Sequence, residues 1–160
     1  MSLSSYFCKL DAVSGDNDVI ALWKNMFAIH EWFENYCDDK YDYSDYYAYY
    51  NGNDENDDKG YTVRKNDMEA LKKLCEELIS KVFGDDVDYR SLRKNLSDRL
   101  AELDGFSPDV QEFLNENFSD TMGLQDYDEW FFSDILDIIK VMDKELNDTS
   151  VCRYSYCYSY

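Results

Sequence analysis

The spacing of apolar and polar positions changes several times along the chain, and each change predicts a different element. Residues 2–10 favour a short strand, and "SGDND" (14–18) supplies side chains suited to a turn and a helix cap. From residue 19 to residue 37, apolar residues recur at i, i+3 and i+4 spacing, which predicts one amphipathic helix. The inward face of this helix would comprise Val19, Leu22, Trp23, Met26, Phe27, His30, Phe33 and Cys37.

The middle of the chain predicts a strand followed by three helices. "GYTVRK" (60–65) is rich in residues that favour strands, and the pattern then changes to helical spacing. Residues suited to capping or ending a helix mark the boundaries. The three helices would begin near Asn66, Asp88 and Ser107, and the first two would end near Gly84 and Gly105.

The C-terminal part combines the longest helical pattern with a strand. Residues 123–146 predict a helix whose inward residues are Phe131, Ile135, Ile138, Ile139, Met142 and Leu146. In "VCRYSYCYSY" (151–160) the period changes to two, which predicts a strand with a tyrosine-lined face. The chain is therefore predicted to be one α+β domain over residues 1–160, with four to five helices packed on a small sheet of about three strands. These strands are N-terminal, at residues 60–65 and C-terminal.

Composition agrees with a folded protein that has no membrane-spanning segment. The 160 residues are 44% hydrophobic and 17% aromatic, which argues against disorder. No run of about 18 apolar residues occurs, and the N-terminus lacks the basic and apolar regions of a signal peptide. Five cysteines without CxxC spacing then indicate reduced thiols and a cytoplasmic location.

Charge is the most unusual property of this sequence. The net charge is −19, and two blocks carry most of it. Residues 31–60 hold ten acidic and two basic residues, a net charge of −8, and residues 106–130 hold seven acidic and no basic residues, a net charge of −7. Such a field repels nucleic acid and anionic membranes and attracts basic surfaces. We therefore expect a basic protein as the partner, with no direct contact to nucleic acid or membrane.

Residue patterns for catalysis and cofactor binding are absent from the sequence. His30 is the single histidine and lies on the predicted apolar face, so we predict a structural residue bonded to a carbonyl or carboxylate. Cys37 would lie two helical turns away, about 10 Å, too far to share a proton with His30. Neither glycine-rich phosphate motif occurs. We predict a non-enzymatic protein with no catalytic residue, no cofactor and no metal site.

Residues 38–60 have no helical period and are predicted to form an acidic, tyrosine-rich loop. Positions 41–60 alone hold six tyrosines and six acidic residues. As a calcium-binding loop the stretch fails at two positions, Lys59 and Asn66, which leaves weak divalent-ion binding open. Acidic side chains can steer the encounter with a basic partner, while tyrosines supply contact area. The loop is therefore a candidate binding surface.

The acidic ridge is predicted to start on the helix that precedes this loop. Glu31, Glu34 and Asp38 share one face near the helix C-terminus, where the helix dipole disfavours negative charge by about 0.3–1 kcal/mol per residue. A face that merely aids solubility does not explain that placement. The predicted partner-binding residues are Glu31, Glu34, Asp38, Asp39, Asp42, Tyr43, Asp45, Tyr46, Tyr47, Tyr50, Asp54, Glu55, Asp57 and Asp58.

Three blocks of the sequence resemble a known group of proteins. "ALWKNMFAIHEWFENYC" (21–37), "YTVRKNDMEALKKLCEELI" (61–79) and "DYDEWFFSDILDIIKVMDK" (126–144) look like blocks of a family of small acidic, functionally uncharacterised proteins encoded by bacterial phages and mobile elements. The resemblance implies a phage origin and a shared fold, and it carries over no catalytic residue. The chain departs from the family pattern at 38–60 and at 84–125.

Three hypotheses about function follow. The first is a phage-encoded, non-enzymatic inhibitor acting in the cytoplasm of the bacterial host. It would bind a basic, nucleic-acid-handling defence protein, in the manner of an anti-CRISPR or anti-restriction protein, through an acidic surface that mimics nucleic acid. The second is a phage accessory or assembly protein that associates, as a homodimer for example, through the tyrosine-rich strand at 152–160. The third is a small enzyme or nucleotide-binding protein with an aromatic pocket.

Overall fold

The computed structural model describes residues 1–11, 13–37, 59–150 and 152–160. Within these ranges the chain forms four strands and six helices. The strands are β1 (Ser4–Asp11), β2 (Asn17–Lys24), β3 (Lys59–Val63) and β4 (Cys152–Ser159). The helices are α1 (Phe27–Tyr36), α2 (Lys65–Phe83), α3 (Tyr89–Lys94), α4 (Leu96–Glu102), α5 (Pro108–Asn117) and α6 (Glu129–Leu146). None of these helices is long and apolar enough to cross a membrane.

The strands form one antiparallel sheet in the order β2-β1-β4-β3. The C-terminal strand β4 therefore lies inside the sheet, and Tyr156 has Phe7 of β1 on one side and Tyr61 of β3 on the other. The Phe33 ring of α1 stacks on Tyr156 with ring centroids 4.0 Å apart. The predicted α+β class is confirmed, and the described residues form four strands instead of about three and six helices instead of four to five.

The additional strand is β2, which corrects the prediction of a single helix from residue 19 to residue 37. Ala21 and Trp23 alternate into the core, whereas Val19 and Leu22 point outward and are 44% and 52% exposed. Pairing with β1 satisfies the backbone hydrogen-bonding groups of this segment. Alternate side chains along the strand then point to opposite faces of the sheet, so Ala21 and Trp23 face the core together. The helix predicted from the apolar spacing forms only from Phe27 onward.

The change from strand to helix occurs at Asn25, which adopts a left-handed backbone conformation with φ of 56°. Asparagine tolerates this conformation better than most residues. Its side-chain oxygen also accepts a hydrogen bond from the Leu3 backbone N–H at 3.0 Å, and its own backbone N–H donates to the Leu3 carbonyl at 2.9 Å. The turn therefore ties the end of β2 to the N-terminus, and α1 begins two residues later.

Two further helix boundaries differ from the prediction. The helix expected between Asp88 and Gly105 is divided at Asn95, whose side-chain amide donates to the Ser91 carbonyl at 2.9 Å. Asp88 and Ser107 are confirmed as caps, since each side chain accepts a hydrogen bond from a backbone N–H in the first turn. The last helix begins at Glu129 instead of near residue 123, because the Asp128 carboxylate caps it there.

Long-range packing joins the sheet to α6 through a buried ion pair. The Glu145 side chain on α6 is almost fully buried, and its Oε2 lies 2.8 Å from Lys9 Nζ on β1. The Tyr154 hydroxyl on β4 donates to the same carboxylate oxygen at 2.8 Å. Lys9 also pairs with Asp148, and this contact holds the pKa of Asp148 well below its ordinary value. The ammonium of Lys9 therefore neutralises a carboxylate that has no access to bulk water.

Candidate partner-binding surface

Most of the predicted partner-binding residues lie outside the described residues, and Glu31 and Glu34 on α1 lie within them. Those outside are Asp38, Asp39, Asp42, Tyr43, Asp45, Tyr46, Tyr47, Tyr50, Asp54, Glu55, Asp57 and Asp58. The acidic, tyrosine-rich loop predicted at 38–60 is outside as well, apart from Lys59 and Gly60, which belong to β3. The binding role predicted for these residues therefore stays a prediction.

The two described acids have intramolecular partners, Glu31 in the middle of α1 and Glu34 near its end. Glu31 Oε2 accepts hydrogen bonds from the Thr121 backbone N–H at 2.7 Å and from its hydroxyl at 3.3 Å. Glu34 Oε1 lies 3.2 Å from His30 Nε2 and 3.4 Å from the Tyr61 hydroxyl. These hydrogen bonds stabilise both carboxylates within the fold, and the binding role predicted for Glu31 and Glu34 stays a prediction.

His30 is buried and lies against a carboxylate, as its place on the predicted apolar face indicated. Besides Glu34, its ring contacts the Tyr156 hydroxyl through Nδ1 at 3.0 Å and the Tyr160 hydroxyl through Nε2 at 3.2 Å. The Tyr156 hydroxyl in turn lies 2.8 Å from Ser5 Oγ. Burial lowers the pKa of His30, although Glu34 opposes that shift. Because these polar groups face one another, the network stabilises the contact between α1 and the sheet.

The tyrosine face of β4 lies in the core, which corrects the basis of the association hypothesis. Tyr154, Tyr156 and Tyr158 are 3%, 0% and 7% exposed, and β4 is paired along both edges. Tyr160, which is 62% exposed, lies beyond the end of the strand. The surface that this hypothesis assigned to self-association is therefore occupied by the protein's own interior.

A different surface, not found from the sequence, lies at the start of α6. A groove of about 560 Å³ runs between β2 and the segment that leads into α6. Its apolar wall includes Leu22, Leu124 and Trp130, which are 52%, 40% and 74% exposed. A tryptophan this exposed leaves a large apolar area in contact with water, a feature typical of interaction sites. We call this feature the Trp130 groove.

Three carboxylates and one lysine line the Trp130 groove. Asp126, Asp128 and Asp134 line it together with Lys24. Asp134 lies one helical turn after Trp130 and is partly buried. Burial and the neighbouring charge of Asp137 raise the pKa of Asp134 to about 6. The fold thus keeps a carboxylate where ionisation is unfavourable, and such placement is more frequent at functional sites than elsewhere.

One sequence signal could have located this groove. Asp126, Asp128 and Glu129 lie just before or within the first turn of α6, where the helix dipole favours acidic residues, so their charge alone does not indicate a site. Trp130, however, is absent from the inward set of that helix, so a large aromatic side chain was left among acids on the outer face. The remaining wall comes from β2, and no pattern within residues 106–130 indicates that contact.

Replacing Asp134 with asparagine is expected to stabilise the protein at neutral pH. The folded-state pKa of Asp134 is about 6, above the ordinary value of 3.8. Between these two pH values the carboxyl is therefore mostly protonated in the native state and mostly ionised in the unfolded state. The ionised group therefore lowers stability above pH 6, and this penalty disappears as the pH falls towards 4. Allowing for solvent screening, Asp134→Asn should raise the free energy of unfolding at pH 7.5 by about 1 kcal/mol. Urea denaturation at pH 7.5 and pH 4 measures the difference.

The matched control is Asp126→Asn, which removes the same charge from an exposed position in the same groove. Its effect should stay within about 0.5 kcal/mol at both pH values. Destabilisation by Asp134→Asn at pH 7.5, or an equal gain at pH 4, would show that the Asp134 carboxylate is not held in an unfavourable environment.

Metal coordination has no support in the part of the chain that is described, where no group of three or more His, Cys, Asp or Glu side chains is arranged to hold an ion. Comparison with protein-family models found no match. Comparison with curated proteins and with solved structures likewise found no match. The resemblance to phage-encoded acidic proteins therefore stays a prediction.

Proposed function

We propose that this protein is a phage-encoded, non-enzymatic inhibitor that binds a basic, nucleic-acid-handling defence protein of the bacterial host. The observation that carries the proposal is the Trp130 groove, where an exposed aromatic ring lies among three carboxylates. The net charge of −19 supports the same class of partner. Anti-CRISPR and anti-restriction activity are the specific forms this proposal includes.

The groove offers contacts that suit the nucleic-acid-binding surface of a partner protein. Such surfaces place Lys and Arg side chains to neutralise phosphates, and carboxylates can neutralise the same cations. A guanidinium can also lie over the face of the Trp130 indole as a cation–π contact. The ring would be the anchor of the interface, and Asp126, Asp128 and Asp134 would fix the orientation of the basic side chains.

The acidic block at residues 31–60 extends the proposal beyond the groove. Its net charge of −8 would raise the rate of encounter with a basic surface even where no direct contact forms. The direct binding role predicted for Asp38 to Asp58 belongs to this proposal as well. Self-association through β4, in contrast, lacks an exposed tyrosine face on that strand, so we do not propose it.

The proposal predicts salt-sensitive binding that excludes nucleic acid. The tagged protein would be used to capture partners from a bacterial lysate at low and at high salt, and each captured protein would then be purified. We expect a nucleic-acid-binding protein whose affinity for this chain falls at least about tenfold between 50 and 200 mM salt, because screening weakens contacts between charges. In a competition assay this protein should displace DNA or RNA from that partner.

Control measurements separate mimicry from ordinary charge attraction. Simultaneous binding of nucleic acid and this protein to one partner would contradict the proposal. So would a salt-independent affinity. A variant with Asp42, Asp45, Asp54, Glu55, Asp57 and Asp58 changed to Asn or Gln tests the acidic loop separately. If that variant competes as well as the wild type, the loop residues are not part of the binding surface.

A further inference from the structure

A second cavity has the opposite charge from the rest of the molecule. It lies between α2, α3 and α6 and has a volume of about 700 Å³. Two buried side chains of α6, Leu136 and Ile139, contribute apolar surface to it, and the Tyr89 ring at the start of α3 borders it. The volume lies within the range usual for small-molecule sites. We call this feature the basic pocket.

Five cationic side chains line the basic pocket. The chain has 16 Lys and Arg residues in all, so almost a third of them surround one cavity of a protein with net charge −19. Three of the five come from α3 at i, i+3 and i+4 spacing, which places them on one side of a short helix. The five residues are Lys72, Arg90, Arg93, Lys94 and Lys140.

Intramolecular carboxylates compensate only part of this charge. The two acids that line the pocket, Glu76 and Asp143, lie 3.9 Å and 3.0 Å from Lys72 Nζ. Hydrogen bonding to Asp143 raises the pKa of Lys72, so this lysine stays protonated. The other four cations form no ion pair within 4 Å among the described residues, although the charge of Arg93 does act on Asp134.

Like charges gathered in this way repel one another unless an anion lies between them. Repulsion at i, i+3 and i+4 spacing destabilises a helix, although Arg93 and Lys94 lie in the last turn of α3, where the helix dipole favours positive charge. A chain with 35 acidic residues had many ways to pair these cations internally. The basic pocket is therefore complementary in charge to an anionic ligand from solution.

We propose that the basic pocket binds a nucleotide. Arginine guanidinium groups form paired hydrogen bonds to phosphate oxygens, and the lysines add positive charge at longer reach. Phosphate groups would bind among Arg90, Arg93 and Lys140. Tyr89, which is 36% exposed, presents a flat ring on which the base can stack, and Leu136 and Ile139 add apolar surface to the same cavity. This site is separate from the Trp130 groove and does not depend on the function proposed for that groove.

Calorimetric titration of the full chain with ADP, adenosine and inorganic phosphate tests the proposal. ADP should bind saturably at one site per chain, and each of the two fragments should bind at least about tenfold more weakly, because each lacks half of the contacts. The double variant Arg93→Gln/Lys140→Gln should lower the affinity for ADP about tenfold or more. Tyr89→Leu should weaken binding of ADP while leaving that of inorganic phosphate unchanged.

Lys73→Gln/Lys144→Gln removes two exposed charges from α2 and α6 outside the pocket and serves as the matched control. Its affinity for ADP should match that of the wild type. Circular dichroism establishes that each variant is folded. Absence of saturable ADP binding would overturn the proposal, as would equal affinities for ADP and inorganic phosphate.

Two other anionic ligands of the basic pocket would give different experimental results. If an acidic surface of a second copy fills it, light scattering should detect a dimer that the Arg93→Gln/Lys140→Gln variant does not form. If it binds nucleic acid strands, a single-stranded oligonucleotide should bind and ADP should not. Either result would replace the nucleotide assignment.

Discussion

Replacing Lys9 with methionine is expected to lower the free energy of unfolding by about 3–5 kcal/mol. The Glu145 side chain is 3% exposed, and Lys9 is the cation that neutralises it, at 2.8 Å. Without the ammonium group, a buried carboxylate would keep the Tyr154 hydroxyl as a hydrogen-bond donor and lose its counter-charge. Methionine retains most of the apolar stem of lysine, so the loss would come from charge. Urea denaturation at pH 7 measures it.

The pH dependence of this variant distinguishes a stranded charge from simple loss of packing. An unpaired buried carboxylate has a raised folded-state pKa, so its penalty is present at neutral pH and disappears as the pH falls towards its unfolded-state value, about 4.3. The deficit of Lys9→Met should therefore shrink on acidification. Lys9→Met/Glu145→Gln should recover most of the stability at pH 7, whereas Lys73→Met, at an exposed position, should change it by less than about 0.5 kcal/mol. A deficit that persists equally at pH 4.5 would assign the effect to packing.

Local signals were sufficient for most elements of the fold and insufficient for β2. Caps at Asp88 and Ser107 depend on neighbouring backbone groups, so the sequence contains all the information needed to find them. Trp23, in contrast, fits two patterns, since it alternates with Ala21 and also lies four residues before Phe27. Pairing with β1 decides between them, and a pairing partner cannot be identified from periodicity within one segment.

Both candidate sites show why net charge along the chain predicted surfaces only coarsely. Residues 61–105 contain ten acidic and nine basic residues, and this near balance hid a pocket to which four cations of that block converge. The Trp130 groove likewise joins β2 to the start of α6, more than a hundred positions apart. Sums over blocks cannot reveal which charges meet in space.

Trp130→Ala is expected to weaken binding to the basic partner captured from the lysate by about thirtyfold, which corresponds to about 2 kcal/mol. The ring is 74% exposed in the free protein, so binding can bury most of its area without prior rearrangement. The same exposure means that the substitution should leave the free energy of unfolding nearly unchanged. Affinity and stability measured on one preparation would therefore respond differently.

The protonation of Asp134 gives this prediction a second, independent readout. A cationic side chain in the Trp130 groove favours the ionised carboxylate, so affinity should fall as the pH decreases through about 6, the pKa of Asp134 in the free protein. Asp134→Asn should bind more weakly at pH 7.5 and lose this pH dependence.

Tyr89→Leu, which alters an aromatic residue of the basic pocket, is the matched control for Trp130→Ala and should bind the partner within twofold of the wild type. If Trp130→Ala binds as tightly as the wild type, the partner contacts another surface. If Tyr89→Leu abolishes binding instead, the basic pocket is the interface. Weak binding by Trp130→Ala with an unchanged pH profile in Asp134→Asn would keep the aromatic anchor and exclude Asp134 from the contact. Trp130→Ala and Asp134→Asn together thus assign the aromatic and electrostatic contributions separately, which a single loss-of-binding mutation could not do.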